Sequence, residues 1–175
     1  PSIAKARTAA QRKEMIQLLR ETDPWLYGQF MDEKRSQGGA RHFLASSGRY
    51  PLCGRGKINT YSVFAETMRN IISDRGHVGV VVPSGIATDD TTKVFFQEIM
   101  EKRSLVSLYD FENRRGIFPA IDSRIKFSLV TMAGSGSVVR KTADFVFFAL
   151  RASDLKDPCK HISMGIDDLL IMNPN

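Results

Sequence analysis

Residues 76–96 read GHVGVVVPSGIATDDTTKVFF, and this stretch decides the fold class. Residues 78–82 form a continuous apolar run stopped by Pro83. Such a run is what a strand buried on both faces requires, as in a parallel sheet covered by helices. A polar loop over residues 84–90 follows. A helix from about residue 91 to 103 then carries Phe95, Phe96, Ile99 and Met100. Upstream, Tyr61, Phe64, Met68, Ile71 and Ile72 share one helical face, and Asp74-Arg75-Gly76 ends that helix. Downstream, residues 105–111 read as a strand, and residues 125–133 as another with Phe127, Leu129 and Thr131 on one face. Gly134-Ser135-Gly136-Ser137 reads as a hairpin turn, after which residues 138–150 return as a further strand. Helix, strand, helix, strand and hairpin make an α/β layered domain.

The N-terminal text differs in character. Residues 3–22 predict a helix with Met15, Ile16 and Leu19 on one face. Asp23-Pro24 is a restart signal, with Asp as N-cap and Pro at the first helical position. A second, short helix carries Trp25, Leu26 and Phe30 and is expected to end before Gly38-Gly39. Residues 1–40 therefore predict a helical hairpin. Residues 41–56 form a basic, glycine-punctuated loop. The α/β domain is expected over residues 41–151, and residues 152–175 form a polar tail with a short amphipathic piece at 166–171.

The chain has 175 residues, 42% of them hydrophobic, enough for one core. No apolar run approaches the roughly 20 residues of a membrane span, and residues 2–20 lack the apolar stretch of a secretory signal. The formal charge of +6 favours polyanionic partners through phosphate neutralisation. Two distant cysteines, Cys53 and Cys159, do not make a disulfide framework, so a reducing intracellular setting is expected. The ends, Pro1 and Asn173-Pro174-Asn175, are expected to be cuts in a longer polypeptide.

Other chemistries fail on the residues. Gly54-Arg55-Gly56-Lys57 would need a glycine at Pro51 and Ser or Thr at Ile58 to be a phosphate loop. No G-x-G-x-x-G follows a strand. His42, His77 and His161 are scattered, and Cys159 with His161 supplies only two metal ligands, so no metal is expected. Asp89-Asp90 and Asp167-Asp168 each precede a helix-like stretch, where N-capping accounts for them.

Three segments in order carry a resemblance: GRYPLCGRGKINTYSVFAE (residues 48–66), GHVGVVVPSGIATDDTTKVFF (76–96) and LVSLYDFENRRGIFPAIDSRIKFSLVTM (105–132). Together they resemble the adenine-specific methyltransferase domain of fused, type IIG-like restriction–modification enzymes. The closing ISMGIDDLLIMNPN is similar to that family's link toward target recognition. The resemblance implies a partial Rossmann-like, class I S-adenosylmethionine-dependent methyltransferase fold. Residues 78–82, 105–111 and 125–133 would be its fifth, sixth and seventh strands. It also implies that the cofactor's glycine loop and the catalytic Asn-Pro-Pro-aromatic motif lie upstream of these residues. The 175 residues alone are then expected to be inactive.

The resemblance implies roles residue by residue. Phe118, stiffened by Pro119, would stack on a flipped adenine; the alternative is a Phe packed into the sheet edge. Asn59, Tyr61 and Phe64 lie in the segment beside S-adenosylmethionine, with Phe64 in the adenosine wall or simply in its helix's apolar stripe. Arg114, Arg115, Arg124 and Lys126 surround the Phe118 loop and would hold phosphates of double-stranded DNA, or form a solvated rim. Nuclease and target-recognition domains of the same polypeptide, in a bacterial cytoplasm, are the implied partners. A non-catalytic nucleic-acid-binding or assembly module is the alternative function. Without a fourth strand the edge of residues 78–82 would be bare, so self-association, or cover by the N-terminal helices, is expected.

Overall fold

The computed structural model describes residues 3–137 and 140–172. The chain divides into two compact units, Pro1–Ser47 and Gly48–Asn175. In the first, a 3-10 turn at Ile3–Lys5 precedes helix α1 (Ala9–Thr22) and helix α2 (Pro24–Ser46). Thr8 caps α1, its side-chain oxygen accepting the Gln11 amide at 3.1 Å. Asp23 ends one helix and starts the next. Its amide donates to the Leu19 carbonyl at 2.9 Å, and its carboxylate accepts the Leu26 amide at 3.0 Å. The second helix is not short: it runs through Gly38-Gly39 to Ser46. Each interior glycine costs a helix only about 1 kcal/mol against alanine, and the flanking residues continue the helix. Neither helix contains a buried residue.

The second unit holds helix α3 (Thr60–Ile71), strand β1 (His77–Pro83), the one-turn helix α4 (Gly85–Thr88) and helix α5 (Lys93–Glu101). Strands β2 (Leu105–Glu112), β3 (Lys126–Ala133), β4 (Ala143–Ala149) and β5 (Ile162–Met164) follow, and then helix α6 (Ile166–Met172). The strands form one five-stranded mixed sheet in the order β1-β3-β2-β4-β5. The fold is α/β.

Two expectations about the sheet are corrected. First, β1 runs antiparallel to β3, with Val81 opposite Leu129, and lies at the sheet edge. It is covered on one face only: Val80 and Val82 are buried, whereas Val81 is 57% exposed. Second, residues 134–137 do not make a hairpin. They fold back onto residues 73–76, with the Gly134 amide on the Gly76 carbonyl and the Gly136 amide on the Asp74 carbonyl, both at 2.9 Å. The chain is thereby carried across the sheet, and β4 pairs parallel to β2, with Leu108 opposite Phe145. Residues 138 and 139, expected to begin that strand, lie outside the described residues.

The apolar stripe expected on α3 is likewise displaced. Phe64 and Ile71 are exposed, while Ser62, Val63, Ala65 and Glu66 are buried. Burial centres instead on Phe95, Ile99, Leu105, Val130 and Met132. A further cluster joins Phe111, Phe127, Val146 and Ala149. Among the described residues no helix is long and apolar enough to cross a membrane.

A polar clamp ties the turns after β4 to the sheet. The Tyr109 hydroxyl donates to Asp144 Oδ2 at 2.8 Å, and His161 Nδ1 lies 2.7 Å from the same oxygen. His161 Nε2 lies 3.0 Å from the Leu155 carbonyl. Both ring nitrogens thus face acceptors, which only the imidazolium satisfies at once. The hydrogen bond to Asp144, with that to the Leu155 carbonyl, raises the His161 pKa above its ordinary 6.5. A raised folded-state pKa adds stability that is complete below the unfolded value and is lost as pH rises through the folded one. The melting-temperature gap between wild type and His161→Gln should therefore be widest near pH 5.5 and shrink toward pH 9. A gap that grows with pH contradicts the clamp.

Candidate functional site

Where β2 ends, a 3-10 turn (Asn113–Arg115) leads into Gly116, whose φ of 68° is left-handed and suits glycine. Asn113 is 1% exposed and organises the loop that follows. Its Nδ2 donates to the carbonyls of Phe118 at 3.0 Å and Ile121 at 2.9 Å, and more weakly to Asp122 at 3.5 Å. Its Oδ1 accepts the Phe118 amide at 2.9 Å. One buried side chain therefore holds residues 118–122 from inside. Phe118 packs edge-on against Phe127 at 4.9 Å, and Phe127 stacks on Phe111 at 5.2 Å. Phe118 is nevertheless 41% exposed, so its ring is braced by the core and also offered to solvent. Pro119, Ile117, Ile121 and Ile125 around it are exposed as well. The geometry serves both packing and presentation.

The four basic residues lie around this loop in three different states. Glu112 pairs with Arg114 at 2.7 Å and with Lys126 at 3.1 Å. Arg124 grips Asp122 through two side-chain bonds, at 3.0 and 2.7 Å, and holds that carboxyl below its usual range. Arg115 is exposed and makes no ion pair with a described residue. Exposed pairs such as Arg124–Asp122 are worth little, roughly 0–1 kcal/mol, so exchanging the partner for a phosphate is cheap.

Sequence reasoning missed Phe148. Between the pairs Tyr109–Val146 and Phe111–Ala149, β4 carries an extra residue, and Phe148 adopts a left-handed φ of 58°. A bulge of this kind re-aims a side chain. The Phe148 ring is 63% exposed, with Lys126 Nζ 4.6 Å from its centroid. The signal in the sequence was the doubled aromatic, Phe147-Phe148, which breaks strand alternation.

The residues expected beside a cofactor are brought together only in part. Tyr61 and Phe64 line a cleft of about 460 Å³ between α3 and β1, with Met68, Gly79 and Val81. Asn59 is not among the lining residues; it precedes α3, and its carbonyl accepts the Ser62 hydroxyl at 2.8 Å. Tyr61 donates to Asp89 Oδ2 at 3.3 Å, and burial, with the Asp89 charge, raises its pKa. A Cβ at Gly85 would stand 2.4 Å from that carboxylate oxygen and 2.9 Å from the Tyr61 hydroxyl, so glycine permits the contact.

No protein-family profile and no curated protein matches the chain. The fold is similar to that of a solved structure, the type IIG restriction endonuclease BpuSI. The two are 16% identical with a TM-score of 0.51, over 78% of this chain. The chain spans only 17% of BpuSI's length.

Two further polar groups are buried in the same unit. Asp110 on β2 is buried and accepts the hydroxyls of Ser84 and of Ser128, the latter at 3.1 Å. These bonds tie β1, β3 and β2 together. Among the described residues no histidine bonds to either serine. Glu66, 1% exposed on α3, accepts the amides of Leu52 at 3.1 Å and Cys53 at 2.8 Å. Burial, and then the Glu66 charge, push the Cys53 thiol up to about 12. At neutral pH it is a protonated thiol, not a nucleophile. Among the described residues no group of three metal-ligating side chains occurs.

Proposed function

We propose that these residues form the rear part of an adenine-N6 DNA methyltransferase domain belonging to a restriction–modification enzyme. The observation that carries this reading is the Phe118 loop, locked by Asn113 and rimmed by basic side chains. An amino group buried in a duplex is reachable only once its base is flipped out, and the extruded base needs a new stacking partner. Phe118, braced on Phe127 and half open, supplies one. Arg115, Arg114, Arg124 and Lys126 would hold the flanking phosphates. The shared fold with BpuSI supports the restriction–modification setting.

The cleft between α3 and β1 suits the adenosine part of S-adenosylmethionine, because it offers the exposed Phe64 ring and the Tyr61 hydroxyl. When bound, that cofactor supplies the electrophilic methyl group. The residues that grip its methionine part, and the Asn-Pro-Pro motif that accepts the adenine amino protons, are not among these 175. Nuclease and target-recognition domains of the same polypeptide complete the proposed enzyme.

The test uses duplexes in which one 2-aminopurine is paired or left unpaired. The chain should prefer the unpaired form and quench its fluorescence. Base–aromatic stacking is worth roughly 1–3 kcal/mol, so Phe118→Ala should lower that preference about tenfold. In the whole polypeptide the same change should slow N6-methyladenine formation, and wild-type rates would refute the stacking role. A non-catalytic DNA-binding module is the second reading, favoured by the fact that the basic loop is complete within this chain. It expects salt-sensitive binding with no preference for an unpaired base.

A further inference from the structure

The sheet has a second concave site at the end opposite the Phe118 loop, where β1 and β2 begin and β3 ends. It is a pocket of about 480 Å³ whose lining includes Arg69, Lys102, Arg103, Arg140, Ser104 and Ser135. That volume accommodates a small-molecule ligand. The four cations arrive from three separate parts of the chain: α3, the turn after α5 and the segment before β4. Only one carboxylate, Asp74, lines the pocket, and its Oδ1 is occupied by the Ser135 hydroxyl at 2.8 Å. Lys102, Arg103 and Arg140 form no ion pair among the described residues. Arg69 pairs through Nη2 with Glu98 at 3.1 Å, yet its Nε is buried without a hydrogen-bond partner.

Two features show that the walls are set in advance. The 134–137 turn is bonded onto the 73–76 turn, and a Cβ at Gly134 would lie 2.1 Å from the Ser73 carbonyl oxygen. That approach requires glycine. At the other wall, the residue after the α5 C-cap has a left-handed φ of 53° and is Arg103, although glycine is the favoured residue there. The helix dipole would be served as well by a cation one residue earlier, and Lys102 already stands there. A left-handed backbone at an arginine, where glycine would be unstrained, is a reason to look for a task for its guanidinium.

We propose that this pocket binds a compact oligophosphate, either free or as the phosphate tail of a nucleotide. Ile72 and Ala133 are its apolar lining and no aromatic ring lines it among the described residues, so the recognised part is the anion and not a base. Guanidinium groups match phosphate oxygens in forked pairs, and the serine hydroxyls add donors.

The test is calorimetric titration of the 175-residue chain at constant ionic strength with sodium triphosphate, inorganic phosphate, sulfate and ATP. One saturable triphosphate site is expected, with phosphate and sulfate weaker. ATP binding no tighter than triphosphate assigns recognition to the phosphate chain; ATP binding alone would overturn the ligand class. Arg103→Gly and Arg140→Ala should each weaken triphosphate binding about tenfold or more, and Arg35→Ala in α2 should leave it unchanged. Arg103→Gly also relieves the left-handed backbone, so its melting temperature should rise while binding falls, which misfolding cannot produce. Absence of saturable binding, or binding indifferent to both substitutions, would overturn the proposal.

Discussion

Replacing Asn113 by alanine should cost the second unit roughly 2–3 kcal/mol and, on the proposed function, abolish the preference expected for an unpaired base. Three well-formed bonds are lost, two to Phe118 and one to Ile121, at about 1 kcal/mol net each. The 3.5 Å contact to Asp122 is too long to add much. Freed carbonyls in this exposed loop can turn to water, which keeps the cost from growing further. Domains of this size have about 5–15 kcal/mol in hand, so the variant should still fold, with the loop loosened. Asn113→Asp should be worse than alanine, because a carboxylate would face the carbonyl oxygens that Nδ2 now satisfies. If Asn113 acts by holding Phe118, its effect on DNA binding disappears once Phe118 is already alanine. A double-mutant cycle reads this directly. Additive losses in affinity would show that Asn113 acts by another route.

Local pattern located the elements better than it located their partners. The strands expected at residues 78–82, 105–111 and 125–133 stand at His77–Pro83, Leu105–Glu112 and Lys126–Ala133. Apolar runs mark where a strand lies, because burial is written into the strand itself. Pairing is written elsewhere. The 134–137 turn resembles a hairpin until its amides are seen to bond to carbonyls of residues 74 and 76, far away in sequence. For the same reason the continuous valines of β1 gave no sign that one face stays open, since openness depends on what else packs there. On α3 a buried carboxylate displaced the expected stripe: Glu66 can lie inside only because two amides of a distant loop reach it. Asn113 carried no local motif, and Phe148 only the doubled aromatic Phe147-Phe148. Their importance comes from hydrogen bonds into a loop five to nine residues on, and from a bulge set by sheet register.

The same logic separates the two ends of the sheet. Phe118 stood out in the sequence because the loop around it resembles a known segment. The cationic pocket at the other end did not, because Arg69, Lys102, Arg103 and Arg140 are single charges in unrelated contexts until the fold converges them.

Glu66→Ala should be the most destabilising single change at a polar position, about 3–5 kcal/mol. The substitution strands two amide donors, Leu52 and Cys53, in a loop where Cys53 is 2% exposed. Each buried donor left without a partner costs about 1–3 kcal/mol, and the lost side-chain volume adds a cavity term. Glu66→Gln should cost less, since one oxygen still accepts one amide while the new NH₂ opposes the other. Cys53 reports on both variants. Its thiol stands at about 12 in the native protein through burial and the Glu66 charge, so it is protected from thiolate chemistry. In wild type the exposed Cys159 should react quickly with a disulfide reagent and Cys53 slowly. In both Glu66 variants Cys53 should gain reactivity, because the charge that disfavours its thiolate is gone and the loop is freer. The linkage also has a sign. A folded-state pKa above the ordinary 9 adds stability that is complete below pH 9 and is lost as pH rises toward about 12. Wild-type stability should fall over that window more steeply than that of a Cys53→Ala variant. Equal slopes, or a Cys53 that stays protected after Glu66→Ala, would mean that the loop is held by something other than this carboxylate.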